Sequence, residues 1–112
     1  MHFISIQIQP EFLTHFDRAD FLSRVRATGR SPEIDEFEEK GQRYLQFTFF
    51  TEFPKSLWQD LQKVLYDHSE YSKIISPISI AICESEPEDK HSRPQFLLLH
   101  HFDRNEKLDH LI

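Results

Sequence analysis

The chain of 112 residues contains only two glycines, Gly29 and Gly41, and their positions mark two boundaries of structure. Gly29 follows an apolar stripe with helical spacing, at the place where a helix commonly ends in a left-handed residue. Gly41 follows Lys40 between two segments that alternate polar and apolar residues, which predicts a tight β-hairpin. So few glycines cannot form the glycine-rich loops with which P-loop and dinucleotide-binding proteins hold phosphate. Nucleotide enzymes of those classes are therefore excluded.

The order of apolar patterns along the chain predicts an α+β domain. Segments typical of strands occupy residues 2–9, 33–39, 42–51, 78–82 and 95–102. Helical spacing marks residues 18–28 and the segment that follows Pro54, and a short helix is expected after residue 102. Two strand–helix–strand units with a hairpin between them favour a ferredoxin-like-type sheet, antiparallel or mixed, of about five strands. Two main helices are expected on one face, together with a short C-terminal helix.

Composition indicates a single packed domain that spans residues 1–112. Apolar residues make up 38% of the chain and eleven residues are phenylalanine, whose large rings demand a packed interior. The one cysteine, Cys83, cannot form an intrachain disulfide, and no segment resembles a signal peptide or a membrane span. We therefore expect a cytoplasmic protein without a membrane partner. Cys83 alternates with the isoleucines of its strand, which we expect to face the core, so we expect Cys83 to lie on the second face and to be a poor nucleophile beside Glu84.

The tetrapeptide His-Phe-Asp-Arg occurs twice, at residues 15–18 and 101–104. Asp17 and Asp103 belong to the residue types that cap helix N-termini, because their carboxylates accept hydrogen bonds from unpaired first-turn N–H groups. An acidic residue follows each of them by three positions, where it favours the positive end of the helix dipole. We interpret the repeat as a helix-start signal that is used twice.

The histidines offer an alternative, in which the protein is a small enzyme. His101 or His15 could act as an acid–base group with the nearby aspartate, provided that the two copies of the tetrapeptide lie side by side. His100 and His101 point to opposite faces of a strand and cannot chelate one metal together, and their spacing from His91 is not that of a zinc site. The sequence predicts no catalytic residue, no metal site and no cofactor.

The segment KGQRYLQF, residues 40–47, resembles the octapeptide of the RNA-recognition motif, a four-stranded βαββαβ domain. The matching positions are Lys40, Gly41, Tyr44, Leu45 and Phe47. The resemblance implies a single-stranded RNA binder that stacks bases on Tyr44, with Phe3 of the first strand as a second ring. Gln42 occupies a position at which the motif has an aromatic residue. The acidic strand before the octapeptide disfavours a polyanion, so nucleic acid is not the expected partner.

Acidic residues cluster in two segments, one of which contains an aromatic ring. The clusters are Glu33, Asp35, Glu36, Glu38 and Glu39, and Glu84, Glu86, Glu88 and Asp89. Charges on an edge strand discourage aggregation, which would by itself explain the first cluster. Rings among carboxylates would also suit a basic protein, with the rings as anchors and the charges steering the encounter. The predicted partner-binding residues are Glu33, Asp35, Glu36, Phe37, Glu38, Glu39, Tyr44, Phe50, Glu86, Glu88 and Asp89.

The net charge of −6 favours cationic partners over the surface as a whole. The leading hypothesis is a small acidic protein-binding module, specifically an immunity protein or antitoxin. It would neutralise a basic toxin domain, for which a nuclease is the preferred candidate, by occluding its active site. The alternatives are the RNA binder and the small enzyme described above. An uncovered hairpin edge would also allow a homodimer.

Overall fold

The computed structural model describes residues 1–86 and 95–111. The strands in this part of the chain are β1 (His2–Ile8), β2 (Glu33–Glu39), β3 (Gln42–Thr51), β4 (Ser79–Ser85) and β5 (Gln95–His100). The α-helices are α1 (Arg18–Arg26), α2 (Pro54–Leu65) and α3 (Glu70–Ile75). Short 3-10 turns occupy Pro10–Phe12 and Ser76–Ile78. None of the helices in the described ranges is long and apolar enough to cross a membrane.

The strands form one antiparallel sheet in the order β2-β3-β1-β4-β5. The first four strands and the helices between them follow the βαββαβ pattern, and β5 extends the sheet beyond β4. The predicted α+β class with a five-stranded sheet is therefore confirmed. Lys40 and Gly41 both have positive φ angles, 52° and 77°, which are the conformations that a two-residue turn between β2 and β3 requires.

The helices pack on one face of the sheet, and the hydrophobic core fills the space between the two layers. The strands contribute Ile4, Ile6, Ile8, Leu45, Phe47, Phe49, Ala81, Cys83 and Leu99 to this core. The helices contribute Phe21, Leu22, Val25, Leu57, Leu61, Leu65, Tyr71 and Ile75. Alternation in the strands and three- to four-residue spacing in the helices place these side chains on facing surfaces.

Cys83 faces away from Ile80 and Ile82 as expected, but the expectation that these isoleucines face the core is wrong. The register of β1 with β4 places Cys83 opposite Ile4, so the thiol lies in the core with 1% of its surface exposed. Ile80 and Ile82 are the residues that face away from the core, and both are only partly buried. The error arises because Ile78 is buried in the 3-10 turn before β4 and does not belong to the alternating pattern of the strand.

The two copies of the tetrapeptide have different structures. Asp17 caps α1 as predicted, since its carboxylate accepts a 3.0 Å hydrogen bond from the N–H of Asp20. Asp103 instead accepts a hydrogen bond from the N–H of Asn105 in a tight turn, and residues 101–111 contain no helix. The third, short helix is α3, which precedes β4 and is capped by Ser69. Its position therefore corrects the one expected from the sequence.

The segment after Asp103 is held along β5 by one residue. The N–H of Asp109 donates to the carbonyl oxygen of Leu98 at 2.7 Å, and the Asp109 carboxylate accepts from the N–H of Leu98 at 2.8 Å. Part of the outer edge of β5 is thereby covered by the chain itself. A helix needs an apolar face after its cap, and the polar residues that follow Asp103 do not supply one.

Candidate functional site on the open face of the sheet

The candidate site lies on the face of the sheet opposite the helices, which we call the open face. Alternation along each strand decides which side chains point to it. They are Phe3, Ser5 and Gln7 in β1; Glu33, Asp35, Phe37 and Glu39 in β2; Gln42, Tyr44, Gln46, Thr48 and Phe50 in β3; Ile80, Ile82 and Glu84 in β4; and Phe96 and Leu98 in β5. Aromatic rings remain accessible here, since Phe50 is 50% and Phe96 is 59% exposed.

Two rings stack at the β2–β3 corner of the open face. Phe37 lies directly opposite Tyr44 in the hairpin register, with ring centroids 5.2 Å apart and ring planes 15° apart. The Tyr44 hydroxyl donates a 3.1 Å hydrogen bond to the side-chain oxygen of Gln42. Cross-strand aromatic pairs stabilise a hairpin, yet Phe37 keeps 39% of its surface exposed. The corner thus presents an ordered aromatic surface to solvent.

Three carboxylates accompany this ring pair on the same face. Glu33, Asp35 and Glu39 alternate with the helix-side residues of β2, and all three are exposed. None of them forms an ion pair with a residue in the described part of the chain. Side chains two residues apart on a strand are separated by about 7 Å, so the acids form a row beside the rings.

Glu36 and Glu38 point to the other side of β2, so they do not join this row. Glu36 is bound by Arg18 of α1 through a hydrogen-bonded ion pair, and its other oxygen lies 3.6 Å from a guanidinium nitrogen of Arg43. The hydrogen bond and the charge of Arg18 hold the pKa of Glu36 below its usual range. The predicted single acidic patch is therefore divided between the two faces of the hairpin.

The remaining predicted partner-binding residues lie elsewhere. Phe50 contacts Phe3 with ring centroids 5.7 Å apart, six residues along β3 from Tyr44, which corresponds to about 20 Å of strand. Glu86 lies near the same end, 4.0 Å from the amino group of Met1. Glu88 and Asp89 lie outside the described residues. Glu33, Asp35, Phe37, Glu39 and Tyr44 are thus the predicted residues that the fold brings together.

The open face carries no basic side chain at any described strand position, whereas it carries Glu33, Asp35, Glu39 and Glu84. Lys40 lies in the turn, and Arg43 points to the helix side with Glu36. Phe3 and Tyr44, the two rings that the RNA-recognition resemblance would pair, lie at opposite ends of the face. An acidic face with separated rings is unfavourable to a polyanion.

Of the two histidines that suggested an enzyme, His15 is exposed and His101 takes part in a local turn. The Nε2 atom of His100 donates to the carbonyl oxygen of Ser76 at 2.9 Å, and its ring stacks on Tyr66. The Nδ1 atom of His101 accepts a 2.9 Å hydrogen bond from the N–H of Asp103. In residues 1–86 and 95–111, no group of three or more His, Cys, Asp or Glu side chains is placed to hold a metal ion.

Sequence reasoning missed the apolar half of the open face. Ile82, Leu98 and Phe96 lie beside one another on β4 and β5, and Phe96 is largely exposed. The face on which each β4 residue lies depends on the register of β4 with β1, which no local pattern encodes. The alternation of Ile78, Ile80 and Ile82 was misleading, because Ile78 lies in a 3-10 turn and not in the strand.

The chain matches no protein-family model, no curated protein and no solved structure. Function is therefore inferred from the chemistry that the open face presents. Exposed stacked rings beside carboxylates that form no ion pair in the described residues suit an interface with a partner protein. Such a partner would cover the rings with apolar surface and pair the carboxylates with cationic groups.

Proposed function

We propose that this protein is a small acidic binding module that occludes a basic partner protein. The observation that carries the proposal is the arrangement at the β2–β3 corner, where the stacked rings of Phe37 and Tyr44 lie beside three carboxylates, those of Glu33, Asp35 and Glu39. Within residues 1–86 and 95–111, no strand residue on this face has a basic side chain. The rings supply apolar anchors, and the carboxylates attract and orient the partner.

The partner that fits this chemistry best is a toxin domain whose active site is cationic. Enzymes that cleave nucleic acids bind phosphate through Lys and Arg, and a row of carboxylates on a rigid strand offers the same groups an alternative partner. We therefore favour an immunity protein or antitoxin that blocks a basic nuclease, acting in the cytoplasm. The buried, unpaired thiol of Cys83 is compatible with that reducing compartment.

A pair of charge-reversal variants tests the proposal. The variant with Glu33→Lys and Asp35→Lys changes the open face, whereas Glu52→Lys with Glu70→Lys changes the net charge by the same amount at exposed positions outside the sheet. Each protein serves as bait in a lysate of its native cell, and the captured protein is purified and titrated by calorimetry.

We expect the wild type and the control to bind one basic protein at a ratio close to one to one, with affinity that falls as salt rises. The open-face variant should lose at least tenfold in affinity, because two attractive charges become repulsive. Equal affinity for both variants, or a captured partner that is not basic, would contradict the proposal.

A further inference from the structure

In the described part of the chain, the outer edge of β2 has no neighbouring strand, and we call it the free edge. All seven of its residues are exposed, and no described residue outside the β2–β3 ladder makes a backbone hydrogen bond to it. At the opposite edge, β5 is partly covered because Asp109 binds both backbone groups of Leu98. An exposed strand edge presents unpaired N–H and C=O groups that can accept an additional strand.

The hairpin turn determines which backbone groups are free. A two-residue turn with positive φ at both positions makes Glu39 and Gln42 a hydrogen-bonded pair, and the pairs then alternate along the ladder. The N–H and C=O groups of Ile34, Glu36 and Glu38 therefore point away from β3, toward solvent. Those of the residues between them are engaged with β3.

The side chains along this edge decide the chemistry of the strand that it can accept. A second copy of β2 would bring Glu and Asp side chains opposite one another, and like charges directly opposite are destabilising. A strand with Lys or Arg at alternate positions would instead place its charges beside Glu33, Asp35 and Glu39 on the open face. The edge of β2 is therefore unfavourable for pairing with a second β2 strand and complementary in charge to a cationic strand.

We infer that the basic partner binds by adding an extended cationic strand to the free edge of β2, with main-chain hydrogen bonds to Ile34, Glu36 and Glu38. This inference rests on the proposed function and specifies its binding mode. Main-chain pairing supplies affinity in strand addition, and alternate side chains supply specificity. Here the selective contacts are the open-face carboxylates and the exposed ring of Phe37.

Proline substitution at outward-facing positions tests the binding mode. Glu38→Pro removes an outward N–H and one carboxylate, whereas Glu38→Gln removes the carboxylate alone. Ile34→Pro and Ile34→Val form a second pair in which the charge does not change. Proline is tolerated on edge strands where the N–H faces solvent, so circular dichroism and thermal melting should show a retained fold.

The probe is a fluorescein-labelled peptide with the sequence KVKVKVKV, compared with the same peptide N-methylated at every residue, so that neither of its edges can donate main-chain hydrogen bonds. We expect the wild type, Glu38→Gln and Ile34→Val to bind the unmodified peptide, and each proline variant to bind it about tenfold more weakly. The methylated peptide should bind weakly to every protein. Amide exchange should slow at Ile34, Glu36 and Glu38 when peptide is added, with little change at the residues between them.

The outcomes separate this inference from the proposed function. Folded proline variants that bind the peptide as tightly as their controls, or a wild type that does not bind it, would overturn strand addition. The proposed function would still stand if the charge-reversal variant lost its captured basic partner. In that case the partner would bind through the open face alone, and amide exchange at Ile34, Glu36 and Glu38 would not slow when the partner is added.

Discussion

Phe37 and Tyr44 stack across the β2–β3 hairpin, with their centroids 5.2 Å apart, on the face of β2 that also carries the carboxylates of Glu33, Asp35 and Glu39. The pairing fixes the Phe37 side chain before any partner arrives, so little rotamer freedom is lost when that ring is buried in a complex. Anchors that are ordered in advance contribute more affinity for the same buried area. The pair is therefore the first target for mutation.

Phe37→Ala should weaken binding to the captured basic partner by roughly tenfold, because truncating a central aromatic anchor commonly costs more than 1 kcal/mol. Phe96→Ala is the matched control, since it removes an exposed ring on the same face at the opposite edge of the sheet. Calorimetric titration of both variants gives the comparison. Equal losses for the two would mean that the β2–β3 corner has no special role.

The two copies of His-Phe-Asp-Arg predict different responses to the same substitution. Asp17→Ala removes the cap of α1 and should lower the free energy of unfolding by about 0.5–2 kcal/mol. Asp103→Ala disturbs only an exposed turn and should change the free energy of unfolding by less than about 0.5 kcal/mol. Urea denaturation followed by circular dichroism measures both values. A larger loss for Asp103→Ala would contradict the assigned roles.

These two aspartates also show where sequence reasoning succeeds and fails. A capping residue is a local signal, and it starts a helix only if an apolar face follows. Phe21, Leu22 and Val25 provide that face after Asp17, and no comparable set follows Asp103. The alternation of residues in β1 was likewise enough to predict that strand. Gly29 and Gly41 were enough to predict the end of α1 and the β2–β3 turn, because each of these signals is complete within a few residues.

The division of the acidic cluster was predictable in part. Strict alternation already separates Glu33, Asp35 and Glu39 from Glu36 and Glu38. Which side faces the helices depends on how β2 pairs with β3, and the position of β2 at the sheet edge depends on the strand order. Both are long-range properties that no local pattern encodes. The pairing of Glu36 with Arg18 likewise required the packing of α1.

The carboxyl of Glu36 should titrate below the usual range of a glutamate, because the hydrogen bond and the charge of Arg18 stabilise its charged form. A depressed pKa in the folded state contributes stability above the unfolded pKa, and this contribution is lost as the pH falls through the folded pKa. Arg18→Gln should raise the pKa of Glu36 toward its ordinary value. NMR titration of the side-chain carboxyl carbons tests this, and an unchanged Glu36 titration in the variant would count against the pair.

The Cys83 thiol should react only when the protein unfolds. Burial is the main cause that raises its pKa, and the charge of Glu84 adds to it, so little thiolate forms at neutral pH. A thiol-specific chromogenic reagent should modify native protein slowly and urea-unfolded protein at the rate of a free cysteine. The native rate should stay low at pH 8. Rapid modification of the native protein would place the thiol at the surface.

His100 should make stability depend on pH in the weakly acidic range. Burial lowers its pKa in the folded state, where its Nε2 atom donates to Ser76 and its ring stacks on Tyr66. The unfolded chain therefore binds a proton at a higher pH than the folded protein does. Stability should fall as the pH drops through the unfolded value of about 6.5 and level off below the folded pKa.

The variant His100→Gln should lose this part of the pH dependence, and His15→Gln, which replaces an exposed histidine, should keep it. Urea denaturation at a series of pH values between 5 and 8 supplies the two curves. Because glutamine does not titrate, any slope that remains in His100→Gln reports the other groups. Wild-type and His100→Gln curves of equal slope would show that His100 binds a proton equally well in the folded and unfolded states, so that burial does not disfavour its protonation.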